Sequence, residues 1–357
     1  MRYALGKAAL IALGIFAFTA LPARADEALL GTTSAPGMAH PAAPALAFCS
    51  TSNPCGPAVY GPSSSFSLAS GGCGLRNRGD CTIDISGVKA PALAAFVFWS
   101  IILPSNMSTS DPRVSTVFIS HGELGANIQG NLIGAGADPC WLTNSTSTPI
   151  AVYFAFFING NPLLSIFNDE SSPSGGNGSY HVFLQPGGSG LTSGADPWVA
   201  SATPPLAEGV SIVLVGTGTQ KIAVWGGPGF SGATFAGGTQ AYALAFNPSP
   251  NPTGGSADLV SIFADGQRGF SYTFTAASSK AMFVNGVNVA GLNSPNNPDS
   301  GLNGDSANPL PQLWDSTEVD IGSMGALAGT PSIMSITVGG SANNDCITPV
   351  AHALAYN

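Results

Sequence analysis

The stretch Phe270-Ser271-Tyr272-Thr273-Phe274-Thr275 alternates an aromatic side chain with a hydroxyl side chain at every position. Successive side chains of a β-strand point to opposite faces, so this stretch predicts a strand with one buried and one wet face. The segment 241–246, AYALAF, alternates large with small side chains, as expected of a layer packed between two sheets. No segment beyond the N-terminal region carries a 3.6-residue apolar stripe over ten or more residues, so we expect little helix.

Similar short apolar runs, separated by Gly, Pro, Asn and Ser, recur along the chain. They are the segments 82–88, 95–103, 114–120, 150–158, 180–184, 210–216, 221–225, 259–264, 318–321 and 332–338. This pattern predicts an all-β protein, an antiparallel β-sandwich or jelly roll. Because a single sandwich is usually shorter, we predict two packed sandwiches, 64–203 and 204–357, with a seam at the Pro-rich stretch 202–208.

The N-terminus has the layout of a secretory signal peptide. Arg2 and Lys7 flank a positive region, an apolar run follows to residue 21, and Ala23-Arg24-Ala25 is a small-x-small cleavage site. The run is too short to span a bilayer as a helix. We therefore predict a signal peptide at 1–25, an Ala/Pro/Ser-rich leader at 26–63, and a secreted, extracellular or periplasmic protein without membrane insertion.

The charge composition excludes several classes of partner. Charged residues are 8% of the chain, with 10 Lys and Arg against 19 Asp and Glu. Loss of residues 1–25 removes three basic and no acidic residues, which leaves 7 against 19 and a net charge of −12. Such a protein is not expected to bind nucleic acid. So few ionisable groups also predict a stability that depends weakly on pH.

Six cysteines follow the predicted cleavage site, and their even number in an exported chain predicts three disulfides. They are Cys49, Cys55, Cys73, Cys81, Cys140 and Cys346. Local spacing suggests Cys49–Cys55 and Cys73–Cys81, which leaves Cys140–Cys346, although 15 connectivities are open from sequence. A metal site is the rival interpretation, but no CxxC spacing supports it.

The polar loop NSPNNPDSGLNGDS offers Asp299, Asn303 and Asp305, three oxygen ligands suited to calcium. A solvated turn explains the same residues, so we expect no cofactor other than this candidate calcium ion. The triplet Asp299-Ser300-Gly301 also matches one half of a pepsin-like aspartate pair. The second triplet is missing, since Asp315-Ser316-Thr317 lacks the glycine.

Glu318 and Asp320 lie two residues apart in a predicted strand, with their carboxylates on one side and Val319 and Ile321 on the other. Paired carboxylates are the acid and base of glycosidases. In a carbohydrate-active hydrolase, folding would bring these two together with residues such as Asp265 or Asp315. A solvated outer face is the alternative for such a pair.

The sequence offers no convincing nucleophile or metal site. Ser120-His121-Gly122-Glu123 is only a local cluster, whereas nucleophilic triads are assembled from distant segments. His181 and His352 lie in strand-like runs and are expected to be structural. Trp141 and Trp198 are the tryptophans predicted to be exposed and able to contact a glycan, whereas Trp99 is predicted to be core.

Several short signatures follow one another in a characteristic order. GCGLRNRGDCTIDISG and VKAPALAAFVFWS precede GNGSYHVFL, AEGVSIVLVG and SADLVSIFADGQRG, and LWDSTEVDI and DCITPVAHALAYN close the chain. Over residues 71–357 this arrangement resembles a family of bacterial secreted or cell-surface β-sandwich proteins whose chemistry is uncharacterised. The resemblance implies the fold and the compartment, and it carries over no catalytic residue.

We therefore expect a non-enzymatic exported protein of a bacterial surface or extracellular matrix that binds polysaccharide or another surface protein. Polar loops at the ends of sandwiches are natural binding surfaces. The alternatives are the secreted hydrolase with paired carboxylates and a self-assembling structural subunit that pairs through edge strands. Catalysis requires carboxylates that meet in a cleft, whereas binding requires exposed aromatic residues on one face.

Overall fold

Strands rich in β-branched and aromatic residues make up most of the protein. The computed structural model describes residues 66–75, 80–89, 91–104, 106–137, 150–159, 162–168, 175–184, 205–226, 240–245, 255–264, 282–290, 314–328, 333–338 and 348–357. Within these ranges nearly all regular structure is strand. The all-β, antiparallel prediction is therefore confirmed.

The strands follow one another along the chain with little helix between them. In order they are β1 (Phe66–Gly74), β2 (Asp80–Ile85), β3 (Ala92–Leu103), β4 (Thr116–His121), β5 (Leu124–Gln129), β6 (Asn131–Ala137), β7 (Ile150–Asn159), β8 (Gly178–Leu184), β9 (Leu206–Thr217), β10 (Lys221–Gly226), β11 (Gln240–Ala245), β12 (Ala257–Ala264), β13 (Met282–Val284), β14 (Val287–Ala290), β15 (Trp314–Asp320), β16 (Ile333–Val338) and β17 (Thr348–Tyr356). The described helices are α1 (Pro112–Ser115) and a 3-10 helix, Pro162–Asn168.

The strands form four antiparallel sheets. Outer sheet 1 has the order β2-β8-β4-β5, and inner sheet 1 has the order β1-β9-β3-β7-β6. Inner sheet 2 has the order β10-β17-β12-β15, and outer sheet 2 has the order β11-β16-β13-β14. Neighbours in a sheet are often far apart in sequence, so residues from distant segments meet on each face.

Three hydrophobic cores stack these sheets in four layers. One core lies between outer sheet 1 and inner sheet 1, and another lies between inner sheet 2 and outer sheet 2. The third core joins the two inner sheets and includes Phe96 and Phe98 from β3 with Val260 and Ile262 from β12. Both faces of each inner sheet therefore pack against a neighbouring sheet, which explains the nearly continuous apolar sequence ALAAFVFWSIIL of β3, whereas the edge strand β15 keeps exposed positions at Glu318 and Asp320.

The chain crosses from the first pair of sheets to the second after β9. The strand β9 begins at Leu206, within the range 204–357 predicted for the second sandwich, but it lies between β1 and β3 in inner sheet 1. The next strand, β10, pairs with β17 in inner sheet 2. Within the described residues the crossover thus falls between Thr217 and Lys221, whereas the seam predicted from proline content lies near residue 203.

Close packing between the two inner sheets centres on Trp314 of β15. A methyl group on Gly209 of β9 would lie 2.2 Å from Trp314 Cγ, so only glycine leaves room for the indole. The Trp314 Nε1–H donates to Ser211 Oγ at 2.8 Å. Trp99 is fully buried as predicted, and Trp225 and Trp314 are buried as well.

A disulfide joins Cys73 of β1 to Cys81 of β2. This pairing agrees with the one predicted from local spacing, and it links the edges of two sheets that face each other. Cys49, Cys55, Cys140 and Cys346 lie outside the described residues, and so do the signal peptide and the leader. The alternating stretch 270–275 also lies outside them, whereas Leu244 of the segment 241–246 packs in a core as predicted.

Candidate functional site

The solvent-facing side of outer sheet 1 places aromatic and polar side chains in regular rows. Its inward side chains, such as Ile83, Val117 and Val182, belong to the core. The outward side chains are set by the strand registers. One row is Asp80–Phe183–Phe118–Asn127, the next is Thr82–His181–Ser120–Gly125, and the last is Asp84–Ser179. We call these outward side chains the outer face.

Phe118 and Phe183 form the apolar centre of the outer face. They are directly opposite each other on β4 and β8, with ring centroids 4.5 Å apart and an interplanar angle of 30°. A Cβ on Gly125 would lie 2.6 Å from Phe118 Cζ, so the Phe118 ring lies across a strand position that has no side chain. Both rings are half-buried, so one surface of the pair stays open to solvent.

His181 extends this aromatic surface towards the edge strand β2. Its ring centroid lies 5.9 Å from that of Phe183, and its Nε2 lies 3.4 Å from Asp80 Oδ2. Further along β2, Asp84 accepts a hydrogen bond from the Ser179 hydroxyl. The outer face therefore combines an apolar platform with carboxylates, hydroxyls and an imidazole beside it.

A second group of polar side chains lies on inner sheet 2. Glu318 and Asp320 are both exposed on one side of β15, with Val319 and Ile321 buried on the other, as the alternation predicts. Asp258 of β12 is directly opposite Asp320 and two register pairs along from Glu318, on the same face. These three side chains, Asp258, Glu318 and Asp320, form what we call the carboxylate cluster.

Two members of the carboxylate cluster hold their protons more tightly than usual. Burial raises the pKa of Asp258, a hydrogen bond from Gln220 Nε2 at 3.4 Å opposes this rise, and the charge of Asp320 adds to it. Loss of water around its carboxyl group raises the pKa of Glu318, although the residue as a whole is exposed. The charge of Asp258 raises this pKa further. A carboxyl that keeps its proton more tightly than usual can serve as a general acid.

Asp315 does not join the carboxylate cluster, contrary to the hydrolase hypothesis. It is fully buried, and it lies three residues from Glu318, so strand alternation directs it to the opposite face of β15. The third carboxylate beside Glu318 and Asp320 is therefore Asp258, whereas the sequence suggested Asp315. Asp265 lies outside the described residues.

The local cluster at residues 120–123 is not a catalytic triad. Ser120 faces outward, whereas His121 is buried. The His121 ring stacks on Tyr180 with centroids 4.3 Å apart, and its Nδ1 lies 3.0 Å from the carbonyl oxygen of Ile166. His121 therefore joins β4 to the 3-10 helix.

His352 of β17 is sealed inside the second pair of sheets. Its Nδ1 lies 2.9 Å from Ser261 Oγ, and the edge of the Phe263 ring meets it at a centroid distance of 5.8 Å. Burial lowers the pKa of His352 from 6.5 to about 3, although a hydrogen bond with the Val260 backbone opposes the shift. The imidazole is therefore neutral at ordinary pH, and it has a structural position, as expected of a histidine in a strand.

Several sequence candidates lie outside the described residues. They are the calcium candidates Asp299, Asn303 and Asp305 and the glycan candidates Trp141 and Trp198. Within the ranges that the structure describes, no group of three or more His, Cys, Asp or Glu side chains is arranged to hold a metal ion. No helix in the same ranges is long and apolar enough to cross a membrane.

Phe118, Phe183 and Asp258 are site residues that the sequence did not reveal. In TVFISH the three apolar residues Val117, Phe118 and Ile119 are consecutive, so the alternation that separates an outward from an inward side chain is hidden. In GSYHVFL the alternation of Tyr180 and Val182 with His181 is visible, and it was the available signal for an outward Phe183.

Comparisons with known proteins give no family for this chain. No protein-family model matches it, and no curated protein matches it. Among solved structures, N-glycanase F (PNGase F) is 11% identical with a TM-score of 0.26, and the match covers 82% of this chain and 96% of that one. A candidate secreted protein from Parabacteroides distasonis ATCC 8503 is 6% identical with a TM-score of 0.15, covering 84% of this chain and 77% of that one.

Proposed function

We propose that this is an exported, non-enzymatic protein that binds polysaccharide through the outer face. The observation that carries the proposal is the open aromatic pair Phe118–Phe183, flanked by hydrogen-bonding side chains on the flat side of a sheet. We also propose that the protein is secreted and that it is related to the bacterial surface proteins that its sequence resembles.

The chemistry of sugars fits this arrangement. A pyranose ring has an apolar C–H surface that can stack on an aromatic ring, while its hydroxyl groups point outward around the rim. The open surfaces of Phe118 and Phe183 together supply the stacking area. The side chains of His181, Ser120 and Asp80 in the surrounding rows supply donors and acceptors for hydroxyl groups.

The rigidity of the scaffold favours binding as well. Every residue of the platform is on a strand whose inward neighbours are in the core, such as Ile119 beside Phe118 and Val182 beside Phe183. Little conformational entropy is therefore lost when a ligand docks.

A pull-down of the purified protein on insoluble polysaccharides tests this proposal, with free sugar measured in the supernatant. The double variant Phe118→Ala/Phe183→Ala should lose about 2 kcal/mol of binding free energy, roughly a 30-fold loss of affinity. Phe283→Ala is the matched control, because Phe283 is a half-buried phenylalanine on a strand of outer sheet 2. Equal retention of the double variant and the control would rule out the outer face as the binding surface.

The carboxylate cluster supports a second candidate, a secreted hydrolase that acts on carbohydrate. Its supporting observation is the raised pKa of Glu318 next to Asp258, because a glycosidase needs one carboxyl that keeps its proton and one that is ionised. Sugar released by the unmodified protein and not by Glu318→Gln would favour this candidate over binding alone.

A further inference from the structure

Charge on the outer face narrows the class of polysaccharide that it can bind. We infer that the ligand is a glycan that carries protonated amino groups, an amino-sugar polymer. This inference rests on the proposed function, because it takes the Phe118–Phe183 platform as the binding surface.

Two carboxylates line one side of that platform. Asp80 is 65% exposed at its side chain and is directly opposite Phe183 in the register of β2 and β8. Asp84 is exposed four residues further along the same strand, which corresponds to about 14 Å at the rise of an antiparallel strand. The aromatic pair therefore has an acidic border along β2.

No Lys or Arg side chain balances this border within the four strands of outer sheet 1, and the basic group beside it in those strands is the imidazole of His181, 3.4 Å from Asp80 Oδ2. The strands β2, β4, β5 and β8 contain no Lys or Arg in their described sequences. The full chain has a net charge of −9. A glycan with uronate or sulfate groups would meet like charges at the border and across the protein surface, whereas an ammonium group would meet opposite charges.

The distances suit contact between an amino sugar and the acidic border. Neighbouring strands lie about 4.8 Å apart, so a sugar ring stacked on Phe183 has its rim substituents next to Asp80. An ammonium group there can donate a charge-assisted hydrogen bond, which is stronger than a neutral one. Asp84 lies far enough along β2 to meet a second amino group of the same polymer.

The test compares soluble glucosamine oligomers with free amines, the same oligomers fully N-acetylated, and a polyuronate of similar length. Binding of each is measured by calorimetry at pH 6 and low salt. We expect the amine form to bind about tenfold tighter than the acetylated form, and the polyuronate to bind weakest. Asp80→Asn should remove most of this preference, because it removes the carboxylate beside Phe183.

An acidic protein attracts any polycation, so the control must change the charge by the same amount elsewhere. Glu123→Gln does so, because Glu123 is exposed in the turn between β4 and β5, at the opposite side of the sheet from β2. Its preference for the amine form should equal that of the unmodified protein. An equal loss in Asp80→Asn and Glu123→Gln would overturn the inference, since it would show a nonspecific effect of net charge.

The remaining outcomes separate the inference from the proposed function. Equal binding of the amine and acetylated forms, with the Phe118→Ala/Phe183→Ala variant inactive towards both, overturns the inference and leaves the binding face in place. Preference for the polyuronate overturns it as well. Failure to bind these oligomers and every polysaccharide in the pull-down overturns both proposals, and it favours a surface protein as the partner.

Discussion

The buried imidazole of His352 should make the protein lose stability between pH 7 and pH 5. Burial holds the pKa of His352 at about 3 in the folded state, whereas in the unfolded chain it returns to about 6.5. Below pH 6.5 the unfolded chain therefore binds a proton that the folded protein excludes. The stability that depends on this group is complete above pH 6.5 and is lost progressively as the pH falls towards 3.

The size of the effect follows from this shift. Each unit of pKa difference corresponds to about 1.4 kcal/mol. At pH 5 the loss is about 2 kcal/mol, and at pH 3 it reaches about 4 kcal/mol, a large part of the free energy of unfolding of an ordinary domain. This expectation differs from the weak pH dependence predicted from composition, because one fully buried group can outweigh a low number of charges.

Urea unfolding followed by tryptophan fluorescence, at steps from pH 7 to pH 5, measures the loss in the unmodified protein and in His352→Gln. The variant should be less stable at pH 7, because its contact with Ser261 changes, but its stability should change by much less over this pH interval. His181→Gln is the control, since it makes the same substitution at an exposed imidazole.

Parallel losses of stability in the unmodified protein and in His352→Gln would refute this reasoning. If His352→Gln fails to fold, an NMR titration of the His352 ring in the unmodified protein decides the matter directly. A ring that titrates near pH 6 in the folded state would contradict the burial argument.

Three further predictions concern packing, charge and the disulfide. Gly209→Ala should destabilise the protein by about 3 kcal/mol, because its methyl group would overlap the Trp314 ring; the urea midpoint measures this. Glu318→Gln should raise the melting temperature at pH 7, through a gain in stability of less than about 1 kcal/mol, and should have no such effect at pH 3.5, because a carboxyl whose pKa is raised on folding begins to cost stability as the pH rises above its unfolded pKa and costs most above its folded pKa. Replacing both Cys73 and Cys81 by serine should cost roughly 2–3 kcal/mol, as expected for opening a loop with a sequence separation of 8.

Each of these predictions has its own control. Gly255→Ala is the packing control, since the nearest atom to its added methyl is Asn357 Cβ at the chain end, 3.2 Å away. Glu123→Gln removes an exposed carboxylate from the turn between β4 and β5 and should not reproduce the rise at pH 7. Reduction by dithiothreitol should destabilise the unmodified protein more than the double serine variant, and equal effects on the two proteins would contradict the role given to this bond.

Sequence reasoning identified most strands because they alternate or are continuously apolar. It overlooked the hairpin of β13 and β14, although Asn285-Gly286 is a strong signal for a two-residue turn. Asn285 has a φ of 49° and Gly286 a φ of 83°, as such a turn requires. It also overlooked β1 and β6, whose glycines lower their strand propensity, since pairing with distant strands decides their conformation.

The candidate site was harder to predict than the fold. The pairing of Phe118 with Phe183 depends on the register of two strands that brings together residues 65 positions apart in the chain, and no local pattern encodes that register. The sequence predicted two members of the carboxylate cluster, Glu318 and Asp320, because they share one strand. It did not predict Asp258, which comes from another strand. Properties within a strand could be predicted from sequence, and relations between strands could not.

The four-layer stack also limits how the protein can change during evolution. Among the residues that the structure describes, the three cores cover six of the eight faces of the four sheets, and the outward faces of the two outer sheets are the ones that no other sheet covers. A substitution on a covered face must be matched by neighbours in the next layer, whereas a substitution on a solvent face needs no such match. The outward positions of outer sheet 1 can therefore change while the inner strands hold the sheet in place, and sequence divergence among homologues should concentrate at those positions.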